Sequence, residues 1–157
     1  MVSCENAGRC DILISYIKHW TRGELPLHYE ENMSVAVTAL CDLREAVGWN
    51  RLDELFENPN RTVAYNVACY DGTHLVGYVE AVSNRTTDAY IQDCMVHPAY
   101  QHKGIGTALI ERMIGILKRE QIYMISVIYG EAALRPFYEK FGFFTMLCGT
   151  IENASCI

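Results

Sequence analysis

The chain has 157 residues, enough for one domain with a substantial core; half are hydrophobic and one fifth charged, as in a soluble globular protein. A formal net charge of -6 argues against a nucleic-acid binder that relies on bulk positive charge, and points weakly to a cationic substrate. No apolar run approaches the ~20 residues that span a bilayer, and residues 1–10 carry Glu5 and Arg9 with no apolar signal segment, so no membrane partner is expected.

Seven cysteines form no CxxC pair. Their odd number and their place inside apolar runs suit free thiols in a reducing compartment, so the expected location is cytoplasmic. Five scattered histidines show no metal-site spacing, and no metal is expected.

In chain order, residues 11–20 have apolar positions at helical spacing, with β-branched content that also permits a strand. Gly23 and Pro26 break the chain, and Leu27–Glu31 suits a short strand. Ser34 is placed to cap a helix over Val35–Val47, which Gly48 ends. A short helix around Leu52–Phe56 stops at Asn58-Pro59. A β-meander follows: Arg61–Tyr70, a turn at Asp71-Gly72, His74–Ser83, a polar turn, then Ala89–Val96.

A long amphipathic helix opens after Gly104, with Ile105, Leu109, Met113, Ile116 and Leu117 on its apolar face. Tyr123–Tyr129 reads as a strand, Ala132–Lys140 as a short helix closed by Gly142, and Phe143–Thr150 as a last strand. The expected class is α/β, with α+β character. A mixed, partly antiparallel central sheet is flanked by helices in a single domain over 1–157, with residues 1–26 as an N-terminal extension.

The informative stretch is the glycine turn Gln101-His102-Lys103-Gly104-Ile105-Gly106 between a strand and a helix. The first N–H groups of a helix have no intrahelical acceptor and carry the positive end of its dipole. Glycines let a bulky anion approach that backbone. A dinucleotide fingerprint would need glycine where Leu109 stands, and the Gly-Lys-Ser/Thr of a Walker loop is absent. A bare GxG also suits a purely structural turn.

A second motif adds weight: Phe137-Tyr138-Glu139-Lys140-Phe141-Gly142-Phe143. Together with Val96-His97-Pro98 and the Q-x-x-G-x-G turn, it resembles the GNAT superfamily of acyl-CoA-dependent N-acyltransferases, over about Trp49–Phe143. The resemblance implies strands splayed at a cofactor site, acetyl-CoA as donor and CoA as product. It implies that Gln101, His102, Lys103, Gly104, Ile105, Gly106 and Thr107 wrap the pyrophosphate, while the backbone of Met95 and Val96 pairs with the pantetheine arm. Tyr138 falls where many members protonate the leaving thiolate. Glu131 stands where the family often has a cofactor-contacting Asn, which puts that contact in doubt.

The acceptor should be a small-molecule or peptide amine, and homodimers are common in the superfamily. Its attack needs a neutral amine, hence a base or a water relay. By the resemblance, Tyr90 and Gln92 fall on the strand positions that commonly carry the base in the family; neither is a good base, though both suit the acceptor side. Glu80 and Asp93 are the carboxylate candidates; alternation would send Asp93 to the far face unless a bulge changes the phase. Trp49 is placed to line the acceptor site or to serve as packing. The competing reading is a non-catalytic acyl-CoA-binding sensor.

Overall fold

The computed structural model describes residues 26–151, so the pattern read at 11–20 lies outside the described residues. Five strands form one sheet in sequence order: β1 (His28–Glu31), β2 (Tyr65–Asp71), β3 (His74–Ser83), β4 (Asp88–Val96) and β5 (Met124–Val127). The first three pairings are antiparallel, and β4–β5 is parallel, bridged by the long helix α3 (Ile105–Arg119). A parallel neighbour needs such a crossover.

Helices cover both faces. α3 buries Ile105, Leu109, Ile110, Met113, Ile116 and Leu117 against Val67, Val79, Ala81, Ala89 and Ile91. Each such side chain contributes roughly 1.5–3 kcal/mol when fully buried. On the other face α1 (Val37–Ala46) sets Leu40 and Leu43 against Ala68, Tyr78 and Met95. The short α2 (Asp53–Phe56) follows α1. Arg51 ties the two together, donating to Asp42 at 2.6 Å, Glu45 at 3.0 Å and Asp53 at 3.1 Å. This tie fixes the wall that carries Trp49 and Leu52.

Two sequence expectations fail. The first helix begins at Val37, and its N-cap position is Ala36 with no side-chain cap, so Ser34 does not cap it. Phe143–Thr150 forms no strand; Phe144, Met146 and Leu147 are exposed. Strand composition without a paired neighbour leaves the backbone to solvent. The remaining elements fall near their expected bounds, β2 starting four residues late. The helix expected over 132–140 divides into a 3-10 turn (Ala132–Leu134) and α4 (Arg135–Glu139), with Pro136 in its first turn.

Gly77 sets the distance between β3 and α3. A Cβ there would lie 2.9 Å from Ile105 Cγ2, 3.2 Å from Leu109 Cδ1 and 3.3 Å from Cys69 Cβ. Gly77→Ala should therefore cost about 1–3 kcal/mol through overpacking. A urea titration checks this: the midpoint should fall, and an unchanged midpoint would contradict the packing account.

Candidate active site

β4 and β5 pair over a short register, from Asp88 opposite Met124 to Ile91 opposite Val127. Beyond Ile91 they part, and the β5-facing edge of Gln92–Val96 has no strand partner among the described residues. On its other edge β4 sets Gln92 opposite Glu80 but Met95 opposite Tyr78. Asp93 and Cys94 thus share one opposing residue, Val79, which is a β-bulge. Asp93 takes φ 50°, a left-handed conformation that costs a non-glycine residue about 1–2 kcal/mol.

The bulge reverses the side-chain phase. Ala89 and Ile91 are buried toward α3, and unbroken alternation would send Asp93 after them. Instead Asp93 Oδ2 accepts from Arg44 Nη1 of α1 at 2.9 Å. Met95 goes to the α1 layer, where its side chain is buried beside Leu40, Leu43 and Tyr78.

Two clefts meet at this point. The first, of about 450 Å³, lies between α1, α2 and the β4–β5 opening. Trp49, Glu80, Tyr90, Gln92, Asp93 and Tyr138, all expected from the sequence, line it together. The second, of about 510 Å³, runs along the glycine turn and is lined by Val96, Gln101, His102, Gly104, Ile105, Gly106 and Thr107. Lys103 sits outside that lining, with Nζ 4.9 Å from the Tyr100 ring centroid. Glu131 is exposed and lies outside the lining of both clefts.

The turn has the conformation an anion cradle needs. Gly104 is the N-cap of α3 at φ 84°, and no side chain caps the helix. The first intrahelical bond runs from the Ala108 N–H to the Gly104 carbonyl, so the N–H groups of Ile105, Gly106 and Thr107 precede it. A Cβ on Gly106 would meet Phe137 at 3.6 Å and Val96 at 3.7 Å, filling space inside the cleft. Gln101 Nε2 donates to the Val96 carbonyl at 3.1 Å, which steadies the strand end above the turn.

Cys94, Leu134 and Tyr138 line both clefts. Tyr138 is held by a stack on Tyr129, 5.0 Å between centroids, and by edge contacts to Phe137 and Phe143. Its hydroxyl has no hydrogen-bond partner among the described residues and is not a buried orphan. Burial raises its pKa, with Cys94 and Tyr90 adding to the effect, so the hydroxyl stays protonated across the working range. The Cys94 thiol is pushed up to about 12 by burial.

The two carboxylates differ. Glu80 is 1% exposed. It accepts from Arg61 Nη2 and the Tyr78 hydroxyl on Oε2, and from Gln92 Nε2 at 2.8 Å on Oε1. Asp93 meets Arg44 through Oδ2, and no described residue donates to its Oδ1. Desolvation lifts the Asp93 pKa above the ordinary carboxylate range, with Arg44 opposing it. Arg44 and Arg61 were not singled out in the sequence. Each lies over the ring of Phe56, and Arg44 also over Trp49 at 5.3 Å.

The glycine turn at the α3 N-terminus and the open edge of β4 lead to a second cleft in which Asp93 Oδ1 has no donor among the described residues. A sequence profile of the acetyltransferase (GNAT) family matches residues 15–143. The chain belongs to that family and is an acetyltransferase of the GNAT type.

Over 122 residues it is 25% identical to an uncharacterised N-acetyltransferase, ycf52, of Pyropia yezoensis, covering 74% of this chain and 70% of that one. Over 69 residues it is 35% identical to GCN5-related N-acetyltransferase 2, chloroplastic, of Arabidopsis thaliana; this covers 44% of this chain and only 26% of that protein. Among solved structures, a GNAT-family acetyltransferase of Streptococcus pneumoniae superposes with a TM-score of 0.66 at 22% identity, over 81% of this chain and 98% of that one. At that identity the likeness speaks for the fold.

Among the described residues no group of three or more His, Cys, Asp or Glu side chains could hold a metal ion. Nor is any described helix long and apolar enough to cross a membrane.

Proposed function

We propose that the chain moves an acetyl group from acetyl-CoA to a primary amine by direct transfer. The observation that carries this reading is the Tyr138 hydroxyl, unpartnered among the described residues, where the glycine-turn cleft meets the cleft containing Asp93. The donor's features fit the residues present. The α3 N-terminus with Gly104 and Gly106 suits a pyrophosphate, and the open edge of β4 at Cys94–Val96 offers backbone groups to an amide-bearing arm. Bound there, acetyl-CoA supplies an activated thioester.

The chain's own groups then divide the work. Asp93 takes the proton of the acceptor amine through Oδ1, directly or through water, and its raised pKa makes it a better base than an ordinary carboxylate. Glu80, which accepts from three side chains, holds Gln92, Arg61 and Tyr78 in place. The nitrogen–acetyl bond forms and the carbon–sulfur bond breaks. Backbone N–H groups at the bulge stabilise charge on the carbonyl oxygen. Tyr138 donates to the departing sulfur. Because its pKa lies above that of a thiol, it acts chiefly as a hydrogen-bond donor, with solvent completing the protonation.

We also assign the reaction to a reducing compartment such as the cytoplasm. Cys41, Cys69, Cys94 and Cys148 are all free thiols.

The test combines two readouts. Acetyl-CoA at ~100 times its Kd should stabilise the chain by about 2.7 kcal/mol, raising Tm by roughly 5–10 °C. CoA release should then depend on an added primary amine. Thermal stabilisation with no CoA release across amines, amino acids, amino sugars and peptides would overturn the catalytic reading in favour of a sensor.

A further inference from the structure

The acceptor cleft is lined by four charged residues, Arg44, Arg61, Glu80 and Asp93, whose formal charges cancel. Their unused atoms are not equivalent. Glu80 already receives three donors, two on Oε2 and one on Oε1, and is 1% exposed. Asp93 keeps Oδ1 open. Arg61 donates to Glu80 through Nη2 and is also hydrogen-bonded to Tyr78. These bonds leave part of its five-donor guanidinium uncommitted, and its side chain is 23% exposed. The cleft thus offers one carboxylate oxygen without a donor among the described residues and a guanidinium with donors to spare. Trp49, Phe56 and Tyr90 provide an aromatic wall between α1, α2 and β4.

A polyamine or lysine-rich acceptor would bring several positive charges to a site with one donor-free carboxylate oxygen and two arginines. A simple alkylamine would leave the remaining Arg61 donors unanswered. A planar carboxylate matches a guanidinium fork in shape and charge. We propose that the acceptor is an amine that also carries a carboxylate on an apolar or aromatic body, chemically an amino acid, with its amine toward Asp93 and its carboxylate toward Arg61. This inference rests on the acetyl-transfer reading above and sets aside the cationic acceptor suggested by net charge. The products are the N-acetylated amino acid and CoA.

The experiment measures CoA release by the wild-type chain with pairs of acceptors that differ only in the carboxylate: phenylalanine against phenethylamine, and leucine against isoamylamine. Spermidine and phosphoethanolamine complete the set. A hydrogen-bonded charge contact of about 1.5–3 kcal/mol predicts kcat/KM at least about tenfold higher for each amino acid than for its decarboxylated partner. Arg61→Lys keeps the positive charge beside Glu80 but loses the fork. It should raise KM for the amino acid and shrink the gap, with KM for acetyl-CoA unchanged.

Equal or faster turnover of the decarboxylated amines, of spermidine or of phosphoethanolamine would overturn the inference while leaving acetyl transfer standing. So would an undiminished gap in Arg61→Lys. No CoA release with any acceptor, and no thermal shift with acetyl-CoA, would overturn the acetyl-transfer reading and this inference with it.

Discussion

Tyr138→Phe should bind acetyl-CoA as the parent chain does and turn over about a hundredfold more slowly, the lower range for loss of a positioned acid. The substitution removes one oxygen and leaves the ring, which is 7% exposed and stacked on Tyr129, in its packing site. Stability should hold, since that hydroxyl has no partner among the described residues. The loss should appear in kcat, because the contact to sulfur strengthens as the thiolate forms and is weak in the ground state. The pH profile should keep its shape, since burial keeps the Tyr138 hydroxyl protonated. Steady-state kinetics with CoA detection, beside a thermal-shift titration, separates these claims. Parental kcat would remove Tyr138 from the mechanism.

Asp93→Asn should lower kcat/KM for the amine by a similar factor, about a hundredfold. Its signature lies in the pH dependence. As base, Asp93 works ionised, so activity should fall as pH drops through its raised pKa, above the ~3.9 of an ordinary aspartate. That limb should vanish in Asp93→Asn. The stability effect has the opposite sign. A raised folded-state pKa means that the native state favours the protonated acid. The Asp93 contribution is therefore most favourable below the ordinary pKa and is lost as pH rises through the raised one. Glu80→Gln provides the contrast, since Glu80 is held by Arg61, Tyr78 and Gln92 and the acid limb should stay. If that limb instead disappears in Glu80→Gln and persists in Asp93→Asn, the roles are exchanged.

The parts of the site that were legible in the sequence are those built from local signals. The glycine turn announces itself because Gly104 and Gly106 bracket a helix start, and α3 then runs from Ile105 as its apolar period requires. Tyr138 was legible only through its motif; its aromatic neighbours alone suggest packing. The arginines were not legible. Arg44 lies on a helix read for its apolar face, and its partner Asp93 is 49 residues away. In sequence Arg61 suits the start of a strand, but β2 begins at Tyr65 and leaves Arg61 free to reach Glu80, 19 residues on.

The bulge at Asp93 has no sequence mark, since aspartate is not glycine and φ 50° falls where the register with β3 shifts between Gln92–Glu80 and Met95–Tyr78. Phe143–Thr150 fails for the complementary reason. Composition reports how well residues suit a strand, while a strand also needs a neighbour for its backbone, and 143–150 has none among the described residues.

A crystal structure of the chain with acetyl-CoA tests the central claim most directly. The pyrophosphate should lie on the backbone N–H groups between His102 and Thr107, and the thioester sulfur should lie within hydrogen-bond reach of the Tyr138 hydroxyl, with the acetyl group turned toward Asp93. A donor bound elsewhere, or one whose sulfur is held away from Tyr138, would contradict the account.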